Sequence, residues 1–154
     1  MRRTEGGHRA SARIVEFAIL IALPILLHYL IPVMVVVPRP YSYLGAVVMV
    51  LGFALMTCVA RLFRQARTGF QLSEGGSRLI TTGPFRISRN PMYLGMLIWL
   101  IGLAVLLGTL TPFLFPALFF LLANLLIIPL EEKDLEGKAG EEFSEYRRHV
   151  RRWF

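Results

Sequence analysis

Charged residues are scarce in this chain, and they are unevenly spread. They make up 18% of the 154 residues, whereas about a quarter is usual for a soluble domain. No Asp, Glu, Lys or Arg occurs from Asn90 to Leu130. A soluble core helix has no need of so long an uncharged stretch, but two membrane-spanning helices joined by a turn do. The composition therefore predicts an integral membrane protein.

Cysteine and acidic residues are also few. The single cysteine, Cys58, cannot form an internal disulfide, so cysteine usage does not indicate whether the protein lies in an oxidising or a reducing compartment. Lys and Arg outnumber Asp and Glu by 17 to 10, and the basic residues stand at the ends of apolar runs, as the positive-inside rule requires. We therefore expect the lipid bilayer as a partner, and neither nucleic acid nor a metal site.

The apolar runs predict an all-α fold with about four membrane-spanning helices in one domain, residues 1–154. The predicted spans are Ile14 to Val36, Tyr43 to Phe63, Pro91 to Leu107 and Pro112 to Leu130. The first is too long for a signal-peptide core and is expected to be retained. Gly45 and Gly52 leave one flank of the second span small enough for close packing. A fifth span stays possible if one segment is re-entrant.

The charged segment from Glu131 to Val150 predicts an amphipathic helix. Its apolar residues recur at intervals of three and four, at Leu135, Ala139, Phe143, Tyr146 and Val150. Trp153 and Phe154 follow, and such an aromatic end is typical of the membrane interface.

The distribution of Lys and Arg predicts the orientation. Four lie up to Arg13, six from Arg61 to Arg89, and six after Glu131, whereas the two remaining turns share only Arg39. With four spans, all three basic regions fall on one side. The positive-inside rule then places both termini and the central polar connection in the cytoplasm.

Two polar clusters are expected to meet on that side. One runs from Ser77 to Gly95, and the other begins at Glu131 and Glu132. The third and fourth spans separate them and are predicted to form a hairpin, which returns both clusters to the same membrane face. Taken singly, each cluster also suits a plainer role. Arg86 and Arg89 suit positive-inside anchors, and Asn90-Pro91 suits a helix N-cap followed by proline. The acid pair suits a solvated segment after a span.

Together, the clusters resemble the isoprenylcysteine carboxyl methyltransferase family, which is related to the phospholipid methyltransferases. The resemblance covers roughly residues 77–153 and is carried by Gly83-Pro84-Phe85-Arg86, Arg89-Asn90-Pro91-Met92-Tyr93-Leu94-Gly95, Glu131-Glu132 and Gly140-Glu141-Glu142-Phe143. It implies S-adenosylmethionine as methyl donor, a cytoplasmic donor pocket closed by the C-terminal helix, and a lipophilic acceptor that arrives from the bilayer.

The resemblance also implies the site residues. The donor-binding positions that it transfers to this chain are Ser77, Arg78, Leu79, Ile80, Phe85, Asn90, Pro91, Met92, Tyr93, Glu131 and Glu132. The candidate catalytic residues are Arg89, Asn90 and Tyr93. A carboxylate such as Glu131 suits the donor's hydroxyl or ammonium groups, and an arginine, Arg86 or Arg89, suits its carboxylate. The rings of Phe85 and Tyr93 suit the adenine or the sulfonium.

The chain departs from the family pattern at two places. Asn90 stands where the family usually has histidine, and asparagine cannot titrate near neutral pH. No arginine occurs from Leu125 to Leu130, where the isoprenylcysteine enzymes carry one for the acceptor's carboxylate. The acceptor therefore stays open between an isoprenylcysteine-like carboxylate, a phospholipid amine and a thiol. A nicotinamide-dependent reductase and a non-catalytic membrane protein are the alternatives of another class.

Overall fold

The computed structural model of the chain describes residues 21–65 and 79–154. Its α-helices are α1 (Ile21–Leu30), α2 (Leu44–Gln65), α3 (Pro91–Leu107), α4 (Leu114–Leu122) and α5 (Ile128–His149). Short 3-10 turns occur at Tyr41–Tyr43, Gly83–Arg86 and Thr111–Phe113, and Ala123–Ile127 is a π-helical segment. Within these ranges, the only β-type pairing is a single bridge between Val35 and Thr109. The predicted all-α class is confirmed for this part of the chain.

Helices α2 and α3 pack against each other through two pairs of glycines. A Cβ atom added to Gly52 would lie 2.6 Å from the carbonyl oxygen of Gly95, and one added to Gly102 would lie 2.7 Å from that of Gly45. Each helix thus places its pair seven residues apart, in opposite order, so the two helices run antiparallel. The close approach predicted from Gly45 and Gly52 is confirmed.

The first helix ends earlier than predicted. Helix α1 stops at Leu30, not at Val36, because Pro32 has no N–H to continue the helical ladder. The extended segment that follows lies along the turn after α3, where the Val36 N–H donates to the Gly108 carbonyl (2.8 Å). His28 Nδ1 and Thr109 Oγ1 share a hydrogen bond of 2.7 Å. The part of the predicted first span that precedes Ile21 lies outside the described residues.

The helix that contains the fourth predicted span continues past Leu130. The helical segments from Thr111 to His149 form one continuous rod. This rod is apolar in its first half and charged in its second half. The π segment lies just before Pro129, whose ring and missing N–H disturb the ladder locally, so that the helix bulges and continues. Leu100, Phe119, Ala123 and Ile128 are buried where this rod packs against α3.

Gly140 breaks the rod inside its charged part. Its backbone angles are φ 50° and ψ −117°, a conformation open essentially to glycine alone. The predicted amphipathic face is confirmed on both sides of this break, because Leu135 and Tyr146 are half-buried and Phe143 is buried while Glu136 is exposed. The break lets the last two turns fold back toward the start of α3.

Two described helical stretches, Tyr41–Gln65 and Thr111–His149, are long and apolar enough to cross a membrane, and α1 and α3 are shorter apolar helices. Helix α4 and the π segment also expose a stripe of leucines at helical spacing, namely Leu114, Leu118, Leu121 and Leu125. A contiguous apolar surface of this kind suits lipid rather than water.

Candidate functional site

A buried carboxylate, that of Glu132, lies between two arginines. Its Oε1 is 3.2 Å from Arg89 Nη2, and its Oε2 accepts a hydrogen bond of 2.6 Å from Arg152 Nη2. Arg152 Nε makes a second, longer bond of 3.3 Å to Oε1. A carboxylate is rarely buried unless it is paired, so these two guanidinium groups make the position of Glu132 possible.

Arg89 makes little use of its hydrogen-bonding capacity. Its side chain is only 10% exposed, yet the buried Nε and Nη1 atoms have no hydrogen-bond partner within the described part of the chain. Burial lowers the pKa of Arg89 from its ordinary value, and the Glu132 carboxylate opposes that shift. A buried guanidinium with unsatisfied donors is costly and is suited to binding an anion.

Tyr93 and Glu131 form the adjacent contact. The Tyr93 hydroxyl donates to Glu131 Oε1 over 2.7 Å, so the first turn of α3 is tied to the first turn of α5. The Tyr93 ring packs near Phe119, with the ring centroids 6.3 Å apart. The two polar clusters thus meet at one end of the α3–α4 hairpin, as the sequence predicted.

The C-terminal tail completes the site. The Arg89 N–H donates to the Arg151 carbonyl (3.0 Å), and the Ser88 hydroxyl donates to the Arg152 carbonyl (3.1 Å). Asn90 Nδ2 also donates to the Arg152 carbonyl, over 3.3 Å. Asn90 does occupy the N-cap position of α3, but its side chain makes no capping bond. Its amide instead helps to hold the tail.

The π segment provides the tail with a second anchor. The Ile128 N–H donates to Ala123, and residue 129 is proline, so neither of these two positions supplies a backbone donor to the Asn124 carbonyl. Arg152 Nη1 donates to this carbonyl (3.4 Å) and to Asn124 Oδ1 (3.3 Å). Trp153 Nε1 also donates to Asn124 Oδ1 (3.2 Å). π-helical turns frequently occur at functional sites.

Tyr146 connects the last helix to the Gly83–Arg86 turn. Its hydroxyl donates to the Phe85 carbonyl over 2.6 Å. Burial raises the pKa of Tyr146 to about 12, against a smaller opposing effect of the Arg89 charge. The hydroxyl therefore remains protonated at neutral pH and acts as a donor.

The structure brings together the predicted residues Arg89, Asn90, Tyr93, Glu131 and Glu132. Pro91 and Met92 lie in the same first turn of α3. Leu79 and Ile80 are half-buried in irregular backbone. Ser77 and Arg78 lie outside the described residues.

Phe85 and Arg86, two further residues considered for the donor, have surroundings that differ from those of Arg89. The ring of Phe85 is buried edge-to-face against Phe63 at 5.7 Å and fills the core. Arg86 is exposed, whereas the Arg89 side chain is only 10% exposed. Of the two arginines considered for an anion, only Arg89 therefore lies next to the acid pair with most of its side chain covered.

The sequence did not single out Arg152 and Ser88. The contact between Ser88 and Arg152 and the contacts of Arg152 with Glu132 and Asn124 join residues far apart along the chain, so no local spacing reveals them. The acid pair is the sequence signal that could have indicated Arg152, because a carboxylate that becomes buried needs cationic partners. The tail, with its excess of arginines, is a source of such partners.

Residues 40–138 match a protein-family model described as phospholipid methyltransferase. This chain belongs to the phospholipid methyltransferase family. An uncharacterised protein of Haemophilus influenzae is 39% identical over 62 residues, which is 40% of this chain and 98% of that relative. No solved structure matches the chain.

Membership of this family confirms the resemblance predicted from the two polar clusters. It associates the fold with a membrane methyltransferase. The matched range takes in the glycine-packed helices and ends inside α5, so it contains Arg89, Tyr93 and both acids. Arg152 lies beyond it.

Proposed function

We propose that the protein is an integral membrane methyltransferase that transfers a methyl group from S-adenosylmethionine to a small or lipophilic acceptor. The observation that carries the proposal is the buried guanidinium of Arg89, whose Nε and Nη1 have no partner among the described residues. It lies beside the acid pair of a chain that belongs to a methyltransferase family.

The residues present fit the donor's charges. The donor has an amino-acid end with a carboxylate and an ammonium group, and it also has ribose hydroxyls. Arg89 offers unused N–H donors for the carboxylate, and hydrogen bonds from a guanidinium to such a group are charge-assisted and therefore strong. Glu131, held by the Tyr93 hydroxyl, offers an acceptor for the ammonium or the hydroxyls. Paired groups of opposite charge therefore match a zwitterionic ligand.

When bound, the donor supplies a methyl group made electrophilic by a sulfonium. The chain's own residues contribute orientation and exclusion of water, and correct placement of reactants is valued at roughly 7–11 kcal/mol at best. Tyr93 and Arg152 hold the two acids, and the tail covers the start of α3. Most of the catalytic effect is thus expected from positioning.

Proton transfer has little support in this site. Asn90 does not titrate near neutral pH, and the raised pKa of Tyr146 keeps its hydroxyl protonated. Of the described histidines, His28 bonds Thr109 at the far end of α3 and His149 is exposed. An acceptor whose nucleophile is already unprotonated, such as a carboxylate, therefore fits best.

The acceptor is expected to come from the lipid phase. The leucine stripe of α4 and the π segment ends beside Asn124, which contacts the tail of the site. A lipophilic molecule that moves along this apolar surface would reach the polar cluster at the membrane boundary. The family's description favours a phospholipid amine as the second acceptor class.

The proposal is tested by calorimetric titration of the detergent-purified protein with S-adenosylmethionine and S-adenosylhomocysteine. Saturable binding of both is expected. A folded protein that binds neither would shift support to the non-catalytic and reductase alternatives, and titration with a reduced nicotinamide dinucleotide would separate those two. Methyl transfer is then measured with carboxylate, phospholipid-amine and thiol acceptors in separate assays.

Replacement of Glu131 tests the donor site directly. Glu131→Ala removes the acceptor that Tyr93 orients and is expected to lower the affinity for S-adenosylhomocysteine at least tenfold, since bonds to charged groups contribute about 1.5–3 kcal/mol. Glu141→Ala removes an exposed acid from the same helix and is the matched control. Equal binding by both variants would show that Glu131 does not hold the donor.

A further inference from the structure

Arg152 donates from all three of its guanidinium nitrogens, in contrast to Arg89. Two of these nitrogens donate to Glu132 and one donates to Asn124. Its backbone carbonyl accepts from Ser88 and Asn90. The tail is therefore fixed at both its main chain and its side chain, and Arg152 contacts the acid pair from a fixed direction.

The two bonds from Arg152 limit the pairing between the Glu132 carboxylate and Arg89. Arg152 takes both carboxylate oxygens, with the shorter bond at 2.6 Å, and Arg89 approaches only Oε1 through Nη2. Without Arg152, the carboxylate is free to turn toward Arg89 and to pair with it alone. That pairing would cover one edge of the Arg89 guanidinium and neutralise its charge.

We propose that Arg152 is a positioning residue of the donor site, which holds Glu132 by two N–H groups and so keeps the buried Arg89 guanidinium available for the donor's carboxylate. The proposal rests on the proposed function. Asn124 shares in the role, because its carbonyl and side chain hold the third nitrogen of Arg152.

The test compares two ligands that differ in one group. S-adenosylhomocysteine has the carboxylate, and its decarboxylated analogue lacks it but keeps the ammonium. Arg152→Gln is expected to weaken binding of the first roughly ten- to hundredfold, the range of a lost bond to a charged group, and to leave binding of the second unchanged. Arg148→Ala removes an exposed arginine of the same region and is expected to bind both ligands as the wild type does.

Two further variants separate positioning from charge and from folding. In Arg152→Gln/Glu132→Gln, the neutral amide no longer neutralises Arg89, so affinity for S-adenosylhomocysteine is expected to rise above that of the single variant. Arg152→Lys keeps the charge but not the two-pronged hold, and is expected to bind S-adenosylhomocysteine more weakly than the wild type.

The outcomes distinguish this inference from the proposed function. If wild-type protein binds neither ligand, the proposed function fails. If wild-type protein binds S-adenosylhomocysteine but Arg152→Gln loses both ligands equally, the role of Arg152 is structural and the inference is wrong. Binding by Arg152→Lys at wild-type strength, or no recovery in the double variant, would also overturn it.

Discussion

Tyr146 shows how burial changes the chemistry of a single residue. It lies outside the predicted spans, on the charged part of α5 that follows Gly140, and its hydroxyl donates to the Phe85 carbonyl. Burial raises its pKa from 10.0 to about 12. A phenol so placed cannot serve as a base near neutral pH, so its contribution is to hold α5 against the Gly83–Arg86 turn.

The raised pKa predicts a dependence of stability on pH. Between pH 10 and about 12, the folded protein keeps a proton on Tyr146 that the unfolded chain releases. The stabilisation is therefore complete below pH 10 and is lost as the pH rises through that window. Tyr146→Phe is expected to flatten this loss, as measured by thermal unfolding in detergent from pH 8 to 11.5.

Tyr41→Phe is the control, because Tyr41 is exposed at the opposite end of α2. It should leave the pH profile unchanged. A profile for Tyr146→Phe that falls as steeply as the wild type above pH 10 would contradict the assignment.

At the scale of elements, the contact between α2 and α3 sets the position of the site. Without side chains at Gly45, Gly52, Gly95 and Gly102, the two backbones approach closely along two turns of each helix. In membranes, helix association depends on such close packing, because lipid removes the hydrophobic driving force between helices. The start of α3, which holds Tyr93 and directly follows Arg89 and Asn90, is thereby placed beside the end of α2.

The glycine contact predicts a cost for one added methyl group. In Gly52→Ala, the new Cβ would lie 2.6 Å from both the Gly95 carbonyl oxygen and the Trp99 nitrogen, which are backbone atoms that cannot rotate away. Overpacking of this kind costs about 1–3 kcal/mol, so thermal unfolding is expected at a lower temperature.

Gly137→Ala is the matched control. Gly137 lies in α5 with nothing within 4 Å of an added Cβ, and alanine favours a helix by about 1 kcal/mol over glycine. This variant should therefore be as stable as the wild type or more so. If Gly52→Ala unfolds no earlier than Gly137→Ala, the close helix contact is not part of the folded protein.

At the scale of the whole molecule, the helices place every element of the site at one end. Helix α2 ends there, α3 begins there, and the rod from Thr111 to His149 returns there. The opposite end holds the Val35–Thr109 bridge and the His28 contact. Among the described residues, Arg61 and Arg64 near the end of α2 share the site end with Arg89 and Arg152, which suits the predicted cytoplasmic face.

The predicted orientation can be measured by cysteine labelling. In a Cys58→Ser background, Tyr41→Cys and Glu142→Cys place one exposed thiol at each end of the molecule. In intact bacterial spheroplasts, a membrane-impermeant maleimide is expected to label Tyr41→Cys, and to label Glu142→Cys only after the membrane is opened. The reverse pattern would show that the site faces outward.

The sequence by itself predicted the elements whose limits are fixed by local chemistry. Helix α3 begins at Pro91 and ends at Leu107 as predicted, because Asn90-Pro91 starts it and Gly108, with φ 74°, ends it. The amphipathic face of α5 and the small flank of α2 are also local patterns. The meeting of Arg89 and Tyr93 with the acid pair followed from one further assumption, a hairpin of α3 and α4.

Tertiary structure alone decided the features that depend on distant partners or on competing local signals. Pro32 ended α1 early, whereas Pro129 produced only a π bulge, because packing against α3 supports the second helix across the disturbance. The role of Arg152 depends on Glu132 and Asn124, which lie 20 and 28 residues earlier in the chain. Such contacts exist only after Gly140 has turned the last helix back, since burying Glu132 requires the positive charge that the tail then brings.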